Sequence, residues 1–432
     1  MKKSKYNHIS NHRGYTVLYN IATDSVCQLD TQLAELYGRH SADEIYEIHP
    51  DFYEFLESNK FILPNDADEV QNVIEQWKLE DATSDTFTIA INPTLNCNLH
   101  CWYCYENHSG NLMMSTDIYN KILSYISNVM TQRSQKHIHL GFFGGEPLLN
   151  FNNIARPLIQ ESYHLSKLHG KTISYSFVTN GTLADEKFAD FIRELNVPVS
   201  LQITFDGNRD SHNLVRNTNQ QNGGTYDLIL ENCARLLRNQ NVTLVIRCNY
   251  THSNILSFID LAAQLEDTIQ NHVGALHVEL HQVWQDMSSS SHNILAHEEV
   301  VRNAFRKIGI SVSAPKRISK YRCYADTGNS ILINYNGDVF RCTARDFASE
   351  HREGTLGKDG SITMNSRSQM RDSIRWGNDT CKACAIYPIC HGGCSQNKLE
   401  HADVSGCLYN YDTDIIHRII EDRLSLLLSS VN

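Results

Sequence analysis

The sequence predicts an α/β protein: a partial (β/α)6 barrel between a small N-terminal module and a cysteine-rich C-terminal region. Three observations predict it. Six apolar-rich strand segments alternate with five helical segments between residues 87 and 283, the pattern of a parallel sheet built from crossover units. Ten of the thirteen cysteines fall into two clusters, at 97–104 and 323–407. The first 80 residues carry a strand and helix pattern of their own.

In that N-terminal stretch, "GYTVLYN" and "DSVCQLD" flank "IAT" and read as a hairpin. "TQLAELYGRH" and "DFYEFLESNKFIL" follow as helical patterns, the second running into a short strand. "VQNVIEQWKLE" is amphipathic and reads as a linker helix. Two strands, compact helices and a returning strand suit a winged-helix-like module over 1–80; a capping subdomain without a ligand is the alternative.

The barrel strands are "FTIAI", "HIHLGFF", "ISYSFVT", "VSLQITF", "VTLVIRC" and "LHVELHQV". Between them lie "STDIYNKILSYISNVM", "NNIARPLIQESYHLSKLHG", "ADEKFADFIREL", "TYDLILENCARLLRN" and "ILSFIDLAAQLED", and "HEEVVRNAFRKIG" closes the domain near residue 312. Six units fall short of the eight of a closed barrel. "DMSSSSHN" reads as a loop. From 313 to 409 apolar periodicity fades and cysteine, glycine and tyrosine take over, so metal is expected to support this part of the fold. Residues 410–432 return to a helix whose apolar stripe packs on the body.

Composition narrows the function. A formal net charge of −11 argues against a general nucleic-acid binder. No apolar run is long enough to span a membrane, and "MKKSKYNHISNHRGY" lacks the apolar segment of a secretory signal, so a cytoplasmic chain is expected. Disulfides are disfavoured there, and clustered cysteines need another purpose. The isolated Cys27, Cys233 and Cys248 read as small buried hydrophobes.

The first cluster is "CNLHCWYC", with Cys97, Cys101 and Cys104 just beyond the first barrel strand. Zinc sites favour paired C-x2-C units, whereas three thiolates on one loop can hold three irons of a [4Fe–4S] cluster and leave the fourth iron for a small molecule. α/β sheets place ligands at the carboxyl ends of their strands. This C-x3-C-x2-C loop, with Tyr103 before its last cysteine, resembles that of the radical S-adenosylmethionine (SAM) enzymes. The resemblance implies an open iron that binds the amino and carboxylate groups of SAM, and cleavage to a 5′-deoxyadenosyl radical that abstracts hydrogen.

Other strand ends fit that resemblance. "FFGGEP" ends the second strand: Gly144 and Gly145 lack a Cβ and let backbone approach a ligand, while Glu146 can accept from the methionine ammonium. "VTNGT" ends the third, with Thr179 and Asn180 as donors to the cofactor's ribose and carboxylate. In "SLQITFDG", Gln202, Thr204 and Asp206 alternate with apolar residues and form a polar inner face. "FDGNRDSHNLVR" resembles the peptide-modifying branch at Asp206, Gly207, His212 and Arg216, with Asp206 the candidate catalytic group. "VIRCNYT" directs Arg247 toward the cofactor carboxylate and Cys248 toward the helices.

The second set reads Cys323-x13-Gly337-x4-Cys342, then Cys381-x2-Cys384-x5-Cys390-x3-Cys394 and Cys407. By chemistry alone this is one zinc site with spare thiols or two iron–sulfur sites. The spacing resembles the SPASM extension of radical SAM enzymes, which implies two auxiliary [4Fe–4S] clusters and three in all. Cys323, Cys342 and Cys394 would hold one, leaving its fourth ligand open; Cys381, Cys384, Cys390 and Cys407 would hold the other. The family resemblance further implies a peptide maturase forming a thioether or carbon–carbon crosslink in a ribosomally made precursor, with flavodoxin or ferredoxin as electron donor. The alternative is formylglycine formation by a sulfatase maturase. The roughly 85 residues before the barrel and Thr343 after Cys342 depart from the sulfatase-maturing pattern and favour the small peptide. The N-terminal module would then recognise its leader.

Overall fold

The computed structural model describes residues 1–12, 14–216, 224–268, 274–286, 292–314, 320, 323–401 and 406–429. The serine-rich 287–291 of the expected loop lies outside this set. The chain forms two compact units: residues 1–83, 314–327 and 369–432, and residues 84–313 and 328–368.

The second unit holds the expected barrel. Its strands are β1 (Thr86–Ile91), β2 (His137–Phe142), β3 (Thr172–Thr179), β4 (Val199–Phe205), β5 (Val242–Tyr250), β6 (Ala275–Gln282) and the short β7 (Ser311–Val312). They pair in sequence order, all parallel. Period-two burial explains why these segments are strands. Phe87, Ile89 and Ile91 in β1, and Ile138, Leu140 and Phe142 in β2, are buried in one apolar core. Cys248 joins the same core from β5, as does Cys233 from its helix. The alternate set is polar: His137 and His139, Ser174 and Ser176, Gln202 and Thr204, Arg247 and Asn249.

Helices α1 (Thr116–Gln132), α2 (Arg156–Leu168), α3 (Glu186–Leu195), α4 (Tyr226–Leu236), α5 (Phe258–Thr268) and α6 (His292–Lys307) connect these strands. Side-chain caps set the start of two of them: Ser115 accepts from Ile118 N, and Asp185 from Phe188 N. Beyond the periodic region, β8 (Ser330–Ile333) adds parallel to β1, and β9 (Asp338–Phe340), β10 (Gly354–Leu356) and β11 (Ile362–Met364) extend the sheet antiparallel to eleven strands.

In the first unit, strands Tyr15–Asn20 and Ser25–Leu29 form the expected hairpin, and Asn7–His12 pairs with it as a third, edge strand. Helices Thr31–Arg39, Ala42–Ile48 and Pro50–Ser58 follow, then Ile62–Leu63 pairs antiparallel with Lys2–Lys3. Leu18, Tyr37, Ile45, Phe52, Leu56 and Phe61 fill the core between them. Helix Glu69–Thr83 contributes Val73, Ile74 and Trp77 to a second core with Tyr387, Ile389, Ile419, Ile420 and Leu424. The C-terminal helix Thr413–Ser429 therefore buries its apolar stripe within this unit, where Arg423 also pairs with Asp24 at 2.6 Å. No described helix is long and apolar enough to cross a membrane.

Candidate active site

The loop after β1 is closed at its neck. Leu95 N donates to Leu112 O at 3.0 Å and Met114 N to Pro93 O at 3.0 Å, across the bridge of Thr94 with Met113. Leu95 packs with Leu332, Phe340 and Phe347 beneath it. Cys97, Cys101 and Cys104 project from this loop into a cavity of about 170 Å³, also lined by Tyr103, Gly144, Gly145, Thr179, Asn180, Gln202, Thr204, Arg247 and Asn249. Residues from the ends of five strands thus meet at one place, and the three cysteines sit together.

The two glycines serve the loop directly. A Cβ on Gly144 would lie 2.2 Å from Thr94 O, and one on Gly145 2.4 Å from both Leu95 O and Asn96 O. Gly144 also has φ +105°, a region unfavourable to side chains. Their close approach lets Gly145 N and Glu146 N donate to Thr94 O and Asn96 O at 3.3 and 2.9 Å. The cysteine loop is seated on the end of β2 through these backbone contacts.

Glu146, the expected acceptor for the methionine ammonium, is fully buried behind the residues that line the cavity. It accepts from Thr179 Oγ1 at 2.8 and 2.9 Å, Asn180 N at 2.7 Å and Leu148 N at 2.9 Å. Burial pushes its pKa up to about 7 against these donors. Its carboxylate ties the end of β2 to the end of β3. Asn180 reaches the cysteine loop, donating to Asn98 Oδ1 at 2.8 Å with the same amide 3.8 Å from Cys97 Sγ.

Asp206, expected as the catalytic group, is also buried and outside the cavity wall. Tyr103 Oη donates to its Oδ1 at 2.7 Å, and Arg216 Nε pairs with its Oδ2. Arg216 Nη2 and Asn249 Nδ2 donate to Tyr103 Oη at 2.9 and 3.1 Å. Both carboxylate oxygens are therefore taken up in holding the cysteine loop to β4 and β5. His212 lies beneath the same network, 3.4 Å from Asp206 N. Arg247 reaches the cavity with its Nε donating to Asn249 Oδ1 at 2.8 Å.

Burial pushes the Cys97 thiol up to about 12 and raises Cys101 and Cys104 as well. Thiolates here need a cation to offset that cost, which a bound metal would supply. Three soft donors on one loop fit an iron–sulfur cluster with one open iron, and the glycine-lined wall leaves room beside it.

Sequence reading missed several wall residues. His108 Nε2 lies 3.2 Å from Cys104 Sγ, with Nδ1 2.6 Å from Leu95 O. Glu106 lines the cavity with a buried, unpartnered Oε2, and burial pushes its pKa up to about 7. Both lie within four residues of Cys104, in "CYENH", which was the available signal. Tyr105 stacks on Trp284 at 5.8 Å, and Arg345 covers the same indole at 5.5 Å; no local pattern joins these distant segments.

In the first unit, Cys381, Cys384, Cys390 and Cys407 line a second, small cavity walled by Ile386, Tyr387, Tyr409, Tyr411 and Ile416. Gly377, Gly392 and Gly393 adopt φ of +77°, +84° and +88°, and a Cβ on Gly377 would meet Cys381 Cβ at 2.6 Å. Burial pushes Cys390 up to about 11. Four thiols around an apolar hollow fit a fully thiolate-ligated cluster. Of the remaining expected ligands, Cys323 and Cys394 belong to the first unit and Cys342 to the second. Asp326, three residues after Cys323, accepts from Ser395 Oγ. None of the thirteen cysteines is in a disulfide.

Residues 91–262, which carry the cysteine loop and the strand ends around it, match the radical SAM superfamily. The chain contains a radical SAM domain. That superfamily binds SAM and a [4Fe–4S] cluster. The radical SAM cyclopropyl synthase TigE of Paramaledivibacter caminithermalis is 24% identical, covering 90% of this chain and 86% of that protein. A cysteine-type anaerobic sulfatase-maturating enzyme of Clostridium novyi is 24% identical over 70% of this chain and 86% of its own length. The crystal structure of Streptococcus suis SuiB bound to precursor peptide SuiA superimposes with a TM-score of 0.53 at 14% identity, covering 92% of this chain and 96% of SuiB. The radical SAM fold and its cysteine-rich C-terminal extension are thus those of this chain.

Proposed function

We propose that this protein is a radical SAM maturase that installs a thioether or carbon–carbon crosslink in a ribosomally made precursor peptide, in the cytoplasm. The observation that carries this reading is the single cavity onto which the three-cysteine loop and the polar ends of β2 to β5 all open. Cys97, Cys101 and Cys104 would hold a [4Fe–4S] cluster, which would supply the electron for reductive cleavage of SAM. In this reading Gly144, Gly145, Thr179, Asn180 and Arg247 surround SAM, with Arg247 opposite its carboxylate. Asp206, Arg216 and Tyr103 act as positioning groups that fix the cysteine loop. Cys381, Cys384, Cys390 and Cys407 hold one auxiliary cluster, and Cys323, Cys342 and Cys394 are assigned to another. Residues 1–80 take the leader of the peptide, and flavodoxin or ferredoxin delivers electrons. Similarity to the cyclopropyl synthase TigE along 90% of the chain supports catalysis over a cluster-binding protein without it, and the fold shared with peptide-bound SuiB along 92% accords with a peptide substrate.

The test is anaerobic reconstitution with dithionite, SAM and the peptide encoded beside this gene. Release of 5′-deoxyadenosine with loss of two hydrogens from the peptide is expected. Replacing Cys97, Cys101 and Cys104 together with Ala should abolish nucleoside release and leave the auxiliary iron. Cofactor cleavage by that triple variant would overturn the reading. The sulfatase-maturating relative favours a second outcome, oxidation of one Cys or Ser to formylglycine. Capture of the product by a hydroxylamine probe would reveal that aldehyde, whereas a crosslinked peptide would not react.

A further inference from the structure

In the first unit, away from every cysteine cavity, strand Asn7–His12 and helix Thr413–Ser429 bring two histidines and a glutamate together. His417 and Glu421 are four residues apart and share one face of the helix. His8 extends from the edge strand, its Nε2 2.7 Å from Glu421 Oε1. His417 Nε2 lies 3.9 Å from the same oxygen, and the two imidazoles meet edge to face at 5.1 Å. One ligand atom from each residue lies within 4.8 Å of the other two.

We infer that His8, His417 and Glu421 form a binding site for a divalent transition metal, with zinc as its ligand of first choice. Imidazole and carboxylate are the donors that suit zinc, nickel and copper, whereas magnesium and calcium take oxygen ligands alone. Donors on a tetrahedral zinc stand about 3.4 Å apart, from bond lengths of about 2.0–2.1 Å. Closing the cluster from 4.8 Å therefore takes a small side-chain rotation. His417 can make it, because its side chain is 64% exposed. Glu421 is already oriented: Ser10 Oγ donates to Oε2 at 2.7 Å and leaves Oε1 directed at both rings. Such outer contacts fix ligating carboxylates in metal sites. Three protein ligands leave the fourth position to water.

The metal would join the edge strand of the N-terminal sheet to the C-terminal helix. That junction already has an apolar seal from Ile419, Ile420 and Leu424 and the Arg423–Asp24 pair. Zinc thus adds stability to a unit that folds without it.

The experiment uses the full-length, cluster-reconstituted enzyme, so that the cysteines are occupied, dialysed against buffered micromolar zinc. The wild type should retain about one zinc per chain more than H417A, with affinity at least about tenfold weaker in H417A and S10A. Zinc should raise the unfolding midpoint of the wild type alone. The exposed His417 makes H417A a mild change, and its zinc-free midpoint should match the wild type. Equal zinc retention by wild type and H417A, or equal retention by E421Q, would overturn the site and leave a plain His8–Glu421 ion pair.

Discussion

Tyr103 donates a 2.7 Å hydrogen bond to Asp206, joining the cysteine loop to the end of β4 across 103 residues of chain. With Arg216 on the other carboxylate oxygen, this pair turns a flexible loop into a fixed one. Asp206→Ala leaves a buried guanidinium without its anion, which typically costs about 3–5 kcal/mol. Tyr103→Phe keeps the ring and the Asp206–Arg216 ion pair but removes the hydroxyl that donates to Asp206 and accepts from Arg216 and Asn249, costing about 1–3 kcal/mol. Urea unfolding of the reconstituted protein should rank them in that order. The same variants should lose nucleoside release in step with loop iron. An Asp206→Ala protein of unchanged stability would mean the carboxylate works elsewhere.

Gly145→Ala should empty the cysteine loop without unfolding the barrel. Its Cβ would stand 2.4 Å from two carbonyl oxygens of that loop, so the loop must lift from the end of β2. The expected result is about four fewer irons per chain, the content of one cubane, and no 5′-deoxyadenosine. Full iron with full cofactor cleavage would show that the loop has room the structure does not display.

Cys390→Ala addresses the second cavity. A thiol held up to about 11 by burial becomes a good ligand only when a metal replaces its proton. The variant should again lose about four irons, while the Cys97 loop retains its own and still cleaves SAM without product. It should also expose the first unit to protease, because the cavity walls Ile386 and Tyr387 belong to that unit's core. Undiminished iron would assign the four thiols a different metal or none.

What the sequence revealed follows from what folds by local pattern. β1 to β6 are buried on one face and polar on the other, so alternation located them and even separated Arg247 from Cys248. Strand Asn7–His12 escaped notice because "NHISNH" contains one apolar residue, and its edge position asks for little burial. Helix Ala42–Ile48 is seven residues long, too short for periodicity, although its Ser41–Glu44 capping box was visible as S-x-x-E. Strands β8 to β11 have three or four residues each and owe their place to the sheet they extend. The grouping of Cys97, Cys101 and Cys104, and of Cys381, Cys384, Cys390 and Cys407, was legible because each set is marked by its spacing. The hydrogen-bond partners of Glu146 and Asp206 were not, because a motif gives residue identity and says nothing of which donors fill a carboxylate.

The polar inner face of the sheet predicts a specific acid sensitivity. His139 Nδ1 lies 2.8 Å from Ser174 Oγ and its Nε2 2.8 Å from Ser176 Oγ, while His137 contacts Thr172 and Ser174 at the same distances. Burial, with a smaller contribution from His137, lowers His139 from 6.5 to about 4. A neutral imidazole is thus preferred in the fold, and the unfolded chain binds the proton more readily. The stability this contributes is present above pH 6.5 and is lost as pH falls from 6.5 toward 4. Between pH 6.5 and 5 the loss from this residue amounts to about 2 kcal/mol, at 1.36 kcal/mol per unit. His212, lowered to about 2 by burial, steepens the same slope. His139→Gln cannot titrate, so the difference in unfolding free energy between wild type and variant should shift by about 2 kcal/mol over that interval. A difference that stays constant from pH 6.5 to 5 would show that His139 takes up a proton as easily in the barrel as in the unfolded chain.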